Sequence, residues 1–251
     1  MSWMPIIFAV VALIYASVGF GGGSTYTALL ALADTNYQLL PIVSLTCNLL
    51  VVTGGVVHFS RAGTIPWGRA LPICALSVPL AWLGGRIAVP ETIFIGLLAS
   101  SLLVAAVLLF VDGRQRNQTH IPARTQTHAL EIIIGGTIGF LSGLVGIGGG
   151  IFLSPILLLL NWATARAVAG TAALFILVNS IAGMIGQYQK LGPERVTDIT
   201  AFWPLFLGVI IGGQIGSRLG AGIMPERWMR RVTAVLIFSV ALRLFYRLFA
   251  Q

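Results

Sequence analysis

Charge is scarce in this chain: of 251 residues, 15 are Lys or Arg and 7 are Asp or Glu. Charged residues make up 9%, against about 25% in an ordinary soluble domain. So few cannot cover the surface of a soluble fold, which excludes a disordered chain, a wet nucleic-acid-binding domain and almost any soluble enzyme. Acid is scarcer still. Asp34, Glu91, Asp112, Glu131, Glu194, Asp198 and Glu226 all fall near the ends of apolar stretches and never in their middle. An intramembrane carboxylate relay or an oxygen-lined metal-cation site therefore lacks its ligands. Cysteine is limited to Cys47 and Cys74, without CxxC spacing, so no disulfide framework exists. HExxH and Gly-Lys-Ser/Thr phosphate loops are missing, and His58, His120 and His128 do not cluster with cysteines. No catalytic residue, metal or cofactor is expected, and no nucleic-acid partner. The N-terminus lacks a basic segment, so a cleavable signal peptide is not expected.

Apolar sequence is abundant. Hydrophobic residues make up 57% of the chain and the mean hydropathy is +0.95. Charge-free windows run from Met1 to Ala33, Thr35 to Ser60, Ala70 to Gly85, Thr92 to Val111, Ile132 to Ala165, Ala167 to Gln189 and Ile199 to Ser217. A helix crosses the hydrocarbon core in about 20 apolar residues. Runs such as Ile156 to Leu160 lack the period-two alternation of a barrel strand. The expected fold class is an all-α polytopic membrane protein. The net charge of +8 is read as loops facing cytoplasm and anionic lipid.

The chain also repeats itself. Val18-Gly19-Phe20-Gly21-Gly22-Gly23 returns as Val145-Gly146-Ile147-Gly148-Gly149-Gly150. His58 to Gly63, Gly84 to Ile87 and Pro90-Glu91 are echoed in the same order by Gln187 to Gly192, Gly216 to Leu219 and Pro225-Glu226. This predicts a first repeat over residues 1–111, a cytoplasmic linker over 112–128 and a second repeat over 129–251. Each repeat reads as one glycine-broken segment and three crossings: pieces 4–20 and 24–33, then 38–60, 69–88 and 91–111; pieces 129–147 and 151–161, then 165–188, 199–219 and 227–249. Basic residues collect after the first crossing of one half (Arg61, Arg69), in the linker (Arg114, Arg116, Arg124) and around a different loop of the other half (Arg218, Arg227, Arg230, Arg231). Keeping all of them on the cytoplasmic side requires inverted repeats. Each broken segment must then enter and leave on one face as a re-entrant hairpin, giving six full crossings with both termini outside.

Three consecutive glycines break a helix, each costing roughly 1 kcal/mol relative to alanine. Freed backbone in lipid is tolerated only where protein buries it or a cavity takes it up. The expectation is that Gly21, Gly22 and Gly23 face Gly148, Gly149 and Gly150 in the bundle interior. The helix N-termini that follow offer N–H donors and a positive dipole end to an anion. Close helix packing is the competing reading of these glycines. Ser24, Asn48, Thr171 and Asn179 are the polar side chains expected to add hydrogen bonds. His58 reads either as a cavity base or as an interfacial histidine. Arg86 and Arg218, at equivalent helix ends, read either as snorkelling anchors or as a gate that attracts anions. Trp67, Trp162, Trp203 and Trp228 are assigned to interfacial belts.

The duplicated GxGGG breaks, Ser154-Pro155, the Ala169-Gly170-Thr171-Ala172 run, Gly216-Ser217-Arg218-Leu219 and Ala241-Leu242-Arg243 together resemble the TauE/SafE family of sulfite and organosulfonate exporters. The resemblance spans nearly the whole chain. It implies a permease of a plasma membrane, the bacterial inner membrane, for small sulfur-containing anions. Alternating access is expected from one repeat rocking against the other, and with no ATP-binding motif a proton or ion gradient is the expected driving force. One departure is Tyr26-Thr27-Ala28, where the family often shows a proline after the first glycine run. A passive anion channel and a non-transporting membrane scaffold or accessory subunit are the alternatives.

Overall fold

The computed structural model of the protein describes residues 3–112, 128–160, 162–191 and 199–220, with residues 238, 242 and 246. Among the described residues the elements are helical and no strand occurs. The helices are α1 (Met4–Ala16), α2 (Gly23–Leu32), α3 (Leu40–Arg61), α4 (Trp67–Arg86), α5 (Glu91–Asp112), α6 (His128–Val145), α7 (Gly150–Leu159), α8 (Ala165–Leu191) and α9 (Trp203–Gly220). The expected crossings over 38–60, 69–88, 91–111, 165–188 and 199–219 coincide with helices to within a few residues. Linker residues 113–127 and the expected crossing at 227–249 apart from 238, 242 and 246, with Arg227, Arg230, Arg231 and Trp228, lie outside the described residues.

Three helical stretches among the described residues are long and apolar enough to cross a membrane: Leu40–Arg61, Arg166–Leu191 and Ile199–Leu219. The two sides of each break are shorter. α1 has 13 residues and α2 and α7 have 10 each, so at 1.5 Å per residue they reach about 20 Å and about 15 Å, less than the hydrocarbon core, whereas α6, with 18 residues, reaches about 27 Å and nearly spans it.

Polarity is distributed opposite to that of a soluble protein. Ser44, Asn48, Thr171, Asn179, Ser180 and Gln187 are fully buried, whereas Ile6, Leu71, Ile133, Ile211 and Trp203 are exposed. Such a surface suits lipid, where apolar side chains cost nothing to expose. Trp67 and Trp203 are exposed as belt residues should be, but Trp162 is 2% exposed and is no belt residue. Its indole N–H donates to Glu131 Oε1 at 2.6 Å, and packing beside that buried carboxylate in the first turn of α6 turns the ring away from lipid.

Without a hydrophobic force between helices, close backbone approach holds a membrane bundle together. Two glycine ladders provide it. On α9, Gly208, Gly212 and Gly216 lie against the carbonyls of Pro5, Ala9 and Leu13 of α1. On α6, Gly135, Gly139 and Gly143 lie against the carbonyls of Ile73, Ser77 and Ala81 of α4. In both ladders residue numbers rise together, so each pair is parallel. Thus the first helix of each half packs on the fourth helix of the other, α5 being the fifth. α3 and α8 run antiparallel: Thr46 Oγ1 meets Met184 Sδ at 3.8 Å, while a Cβ on Gly55 would touch Ala173 at 3.8 Å. α4 continues through Pro72 and Pro79, and packs on α8 where Gly85 and Gly186 allow the backbones to touch.

Candidate functional site: two helix breaks joined by one asparagine

α1 ends at Ala16, four residues short of the expected 20. Apolar Val18 and Phe20 continue the hydropathy signal, but Gly19 turns left-handed at φ +80° and Phe20 N–H donates back to Tyr15 at 2.9 Å. The chain restarts at Gly22, the N-cap of α2, with φ +87°. The second break has the same form: α6 closes at Val145, Gly146 N–H donates to Ser142 O at 2.8 Å, and Gly149 caps α7 with φ +77°. These left-handed positions are why glycine is required there. Neither N-cap glycine has a side chain to cap its helix; the start of α2 is capped instead from α3, while α7 presents its first backbone donors inside the protein without a side-chain cap.

The two breaks meet. Asn48 of α3 accepts from Gly23 N–H through Oδ1 at 2.9 Å and donates through Nδ2 to Ile147 O at 3.0 Å. Ser44, one turn earlier on the same face, donates to Gly23 O at 2.7 Å, and Thr27 donates to the same carbonyl at 2.9 Å. Gly21 and Gly148 both lie against the Asn48 amide, leaving no room for a Cβ at either position. Asn48 therefore acts as a staple: both halves of its amide are spent on backbone. Tyr15 Oη and Thr25 Oγ1, 2.7 Å apart, pin the end of α1 to the start of α2.

The remaining expected residues are placed as follows. Ser24 is buried in the first turn of α2. Thr171 is buried and donates to its own helix at Ala167 O, 2.8 Å. Gly150 lies against Ile176 of α8. Asn179 is fully buried; its Nδ2 donates to Phe175 O at 2.9 Å, while its Oδ1 has no partner. His58 is half-buried about 15 Å further along α3 from Asn48, at 1.5 Å per residue. Arg86 is exposed at the end of α4, its guanidinium 4.7 Å from the Trp82 ring, and Arg218 is exposed at the end of α9. These three are not gathered at the breaks.

Two residues at the breaks escape a sequence reading. Tyr26, a turn beyond Gly22, stacks on Phe8 with ring centroids 4.7 Å apart, and its hydroxyl lies over Gly22, buried and without a partner. Ser142 is equally buried and unpartnered, next to Gly149. Only their spacing from the glycine runs hinted at them. Elsewhere, Arg69 of α4 reaches across to the second half. It donates to Trp162 O at 2.7 Å, lies 3.4 Å from Glu131 Oε1 and sits 4.4 Å over the Trp162 ring. A cavity of about 390 Å³ lies at the far end of α2, lined by Asp34, Tyr37, Glu91 and Ile95 among others, not at the breaks. Among the described residues no three His, Cys, Asp or Glu side chains gather to hold a metal.

An apolar outer surface, a buried polar interior and two interrupted helices meeting within it define a polytopic helical membrane transporter. The description "Sulfite exporter TauE/SafE" matches residues 4–244, and the chain belongs to that family. A probable membrane transporter protein of Sinorhizobium fredii, y4hK, is 33% identical over 245 residues, covering 97% of each chain. The probable membrane transporter protein YunE of Bacillus subtilis is 27% identical over 271 residues, covering 94% of each. A further probable membrane transporter protein, from Haemophilus influenzae, is 25% identical over 265 residues, covering 91% of this chain and 92% of its own. No solved structure matches significantly.

Proposed function

We propose that the protein is a secondary transporter of the bacterial inner membrane that exports small sulfur-containing anions, such as sulfite or organosulfonates. The observation that carries this reading is the junction at Asn48: two helix starts brought together in the buried interior, that of α2 held by the Asn48 amide and that of α7 without a side-chain cap. Such discontinuous helices aim positive dipole ends at anionic groups. The absence of a carboxylate from both glycine runs and from the side chains around them favours a negative substrate. Alternating access comes from rocking one repeat (1–111) against the other (129–251), with 112–128 as linker. Inversion of the repeats is supported by the antiparallel run of α3 against α8 and by the reciprocal pairing of α1 with α9 and α6 with α4. A re-entrant hairpin is supported in the first repeat by the short reach of both α1 and α2, and in the second by the short reach of α7, although α6 nearly spans the core. A gradient of protons or another ion drives transport.

Counterflow in proteoliposomes tests this. Vesicles preloaded with unlabelled sulfite should take up labelled sulfite faster than empty ones. Flux indifferent to preloading marks a passive channel, and absence of flux for sulfite and organosulfonates marks a scaffold.

A further inference from the structure

Resting on that reading, the two breaks differ in a way that narrows the substrate. At the first break the amide of Asn48 is fully used. At the second it is not matched. Ser142 and Asn179 are both fully buried, and both end in an oxygen without a partner. Ser142 lies beside Gly149 of the second break, and Asn179 shares its face of α8 with residues that meet the break and α6. A Cβ built on Gly149, the N-cap of α7, would lie 3.2 Å from Ser142 Cβ and 2.8 Å from the Phe175 ring. A Cβ on Gly183 would lie 3.2 Å from Gly143, the neighbour of Ser142. Phe175 and Gly183 are the residues one turn to either side of Asn179 on α8.

The orientation of the Asn179 amide is fixed. Its Nδ2 donates to Phe175 O at 2.9 Å, and turning the amide over would set oxygen against oxygen. The free atom is therefore an acceptor, Oδ1. Beside it stand a hydroxyl, which can donate, and the uncapped start of α7, whose N–H groups donate. A buried acceptor without a partner costs about 1–3 kcal/mol, and a bare anion would add repulsion from the carbonyl dipole.

We propose that the second break binds a small, singly charged oxyanion that itself carries a hydrogen-bond donor, an O–H or N–H group. The anionic oxygens take the Ser142 hydroxyl and the start of α7, and the donor group of the substrate is taken by Asn179 Oδ1. Sites built around a substrate hydrogen bond reject the analogue lacking it far more strongly than apolar pockets reject a size change.

Calorimetric titration of the purified protein with hydroxymethanesulfonate and methanesulfonate tests the proposal, because the two anions share charge and headgroup and differ by one hydroxyl. Hydroxymethanesulfonate should bind at least about tenfold more tightly. Asn179→Leu should bring the two to within about twofold, and Ser142→Ala should weaken both. Equal affinities in the wild type, no binding of either anion, or a preference that survives Asn179→Leu overturns the proposal. If the leucine variant does not fold, the wild-type comparison decides alone. Loss of counterflow with the preference intact would sink the transport reading and leave this site standing.

Discussion

The Asn48 side chain donates to the carbonyl of Ile147, 99 positions further along the chain, at 3.0 Å. With its other atom it receives Gly23 N–H, so one residue of α3 fixes the distance between two glycine runs in separate halves. Asn48→Ala should leave a buried donor and a buried acceptor unpaired, a loss of about 2–5 kcal/mol. Thermal denaturation in detergent should register a large drop in Tm, and counterflow should fail even below the transition. A wild-type Tm would remove the staple.

Gly149 sits at φ +77° with the Phe175 ring, Ile138 and Ser142 around the place of a Cβ. Gly149→Leu should abolish flux while the protein still inserts, as judged by its amount in the membrane fraction. Normal flux in that variant would take the second break out of the transport path.

Tyr26 separates structural from functional use of a hydroxyl. Its ring is packed on Phe8, and Tyr26→Phe keeps that contact. Removing a buried hydroxyl without a partner should leave stability unchanged or raise it by up to about 1 kcal/mol. The concentration for half-maximal counterflow should nevertheless rise several-fold. An unchanged value would assign Tyr26 to packing alone.

Arg69, Trp162 and Glu131 form one cluster between α4 and the second half. Arg69→Met should cost about 2 kcal/mol, since hydrogen bonds to charged groups are worth about 1.5–3 kcal/mol and the arginine is partly exposed. Combined with Glu131→Gln, the loss should be smaller than the sum of the single losses. Additive losses in a double-mutant cycle would show that the two charges do not interact.

Much of the architecture could be read from the sequence because charge punctuates it. Arg61, Arg86, Asp112 and Lys190 fall at or beside helix ends, and the glycine runs place both breaks. Hydropathy is blind to backbone sign, however, so it carries α1 through Val18 and Phe20, where left-handed Gly19 ends it. The site was legible in outline only. That Asn48 is buried at the breaks followed from the cost of an amide in lipid. That its two atoms are divided between Gly23 and Ile147 depends on a rotamer and on helices far apart in sequence. Ser142 lies among glycines that pack α6 on α4, and composition alone gives it no role apart from them. Trp162 fits an interfacial belt by spacing, but burial beside Glu131 depends on a partner 31 residues away.

The two glycine ladders differ in which partner bears the notches. Between α4 and α6 both helices bear them, Gly135, Gly139 and Gly143 on α6 and Gly84 on α4 against Phe140 O; between α1 and α9 they all lie on α9 and α1 has no glycine. A pairing of α1 with α4 would set Pro5, Ala9 and Leu13 against Ile73, Ser77 and Ala81, with Gly84 as a single notch in place of three. α1 thus takes its close backbone contacts from a helix of the other half. Separately expressed halves should find each other in the membrane, and the single chain is what keeps the two in equal number.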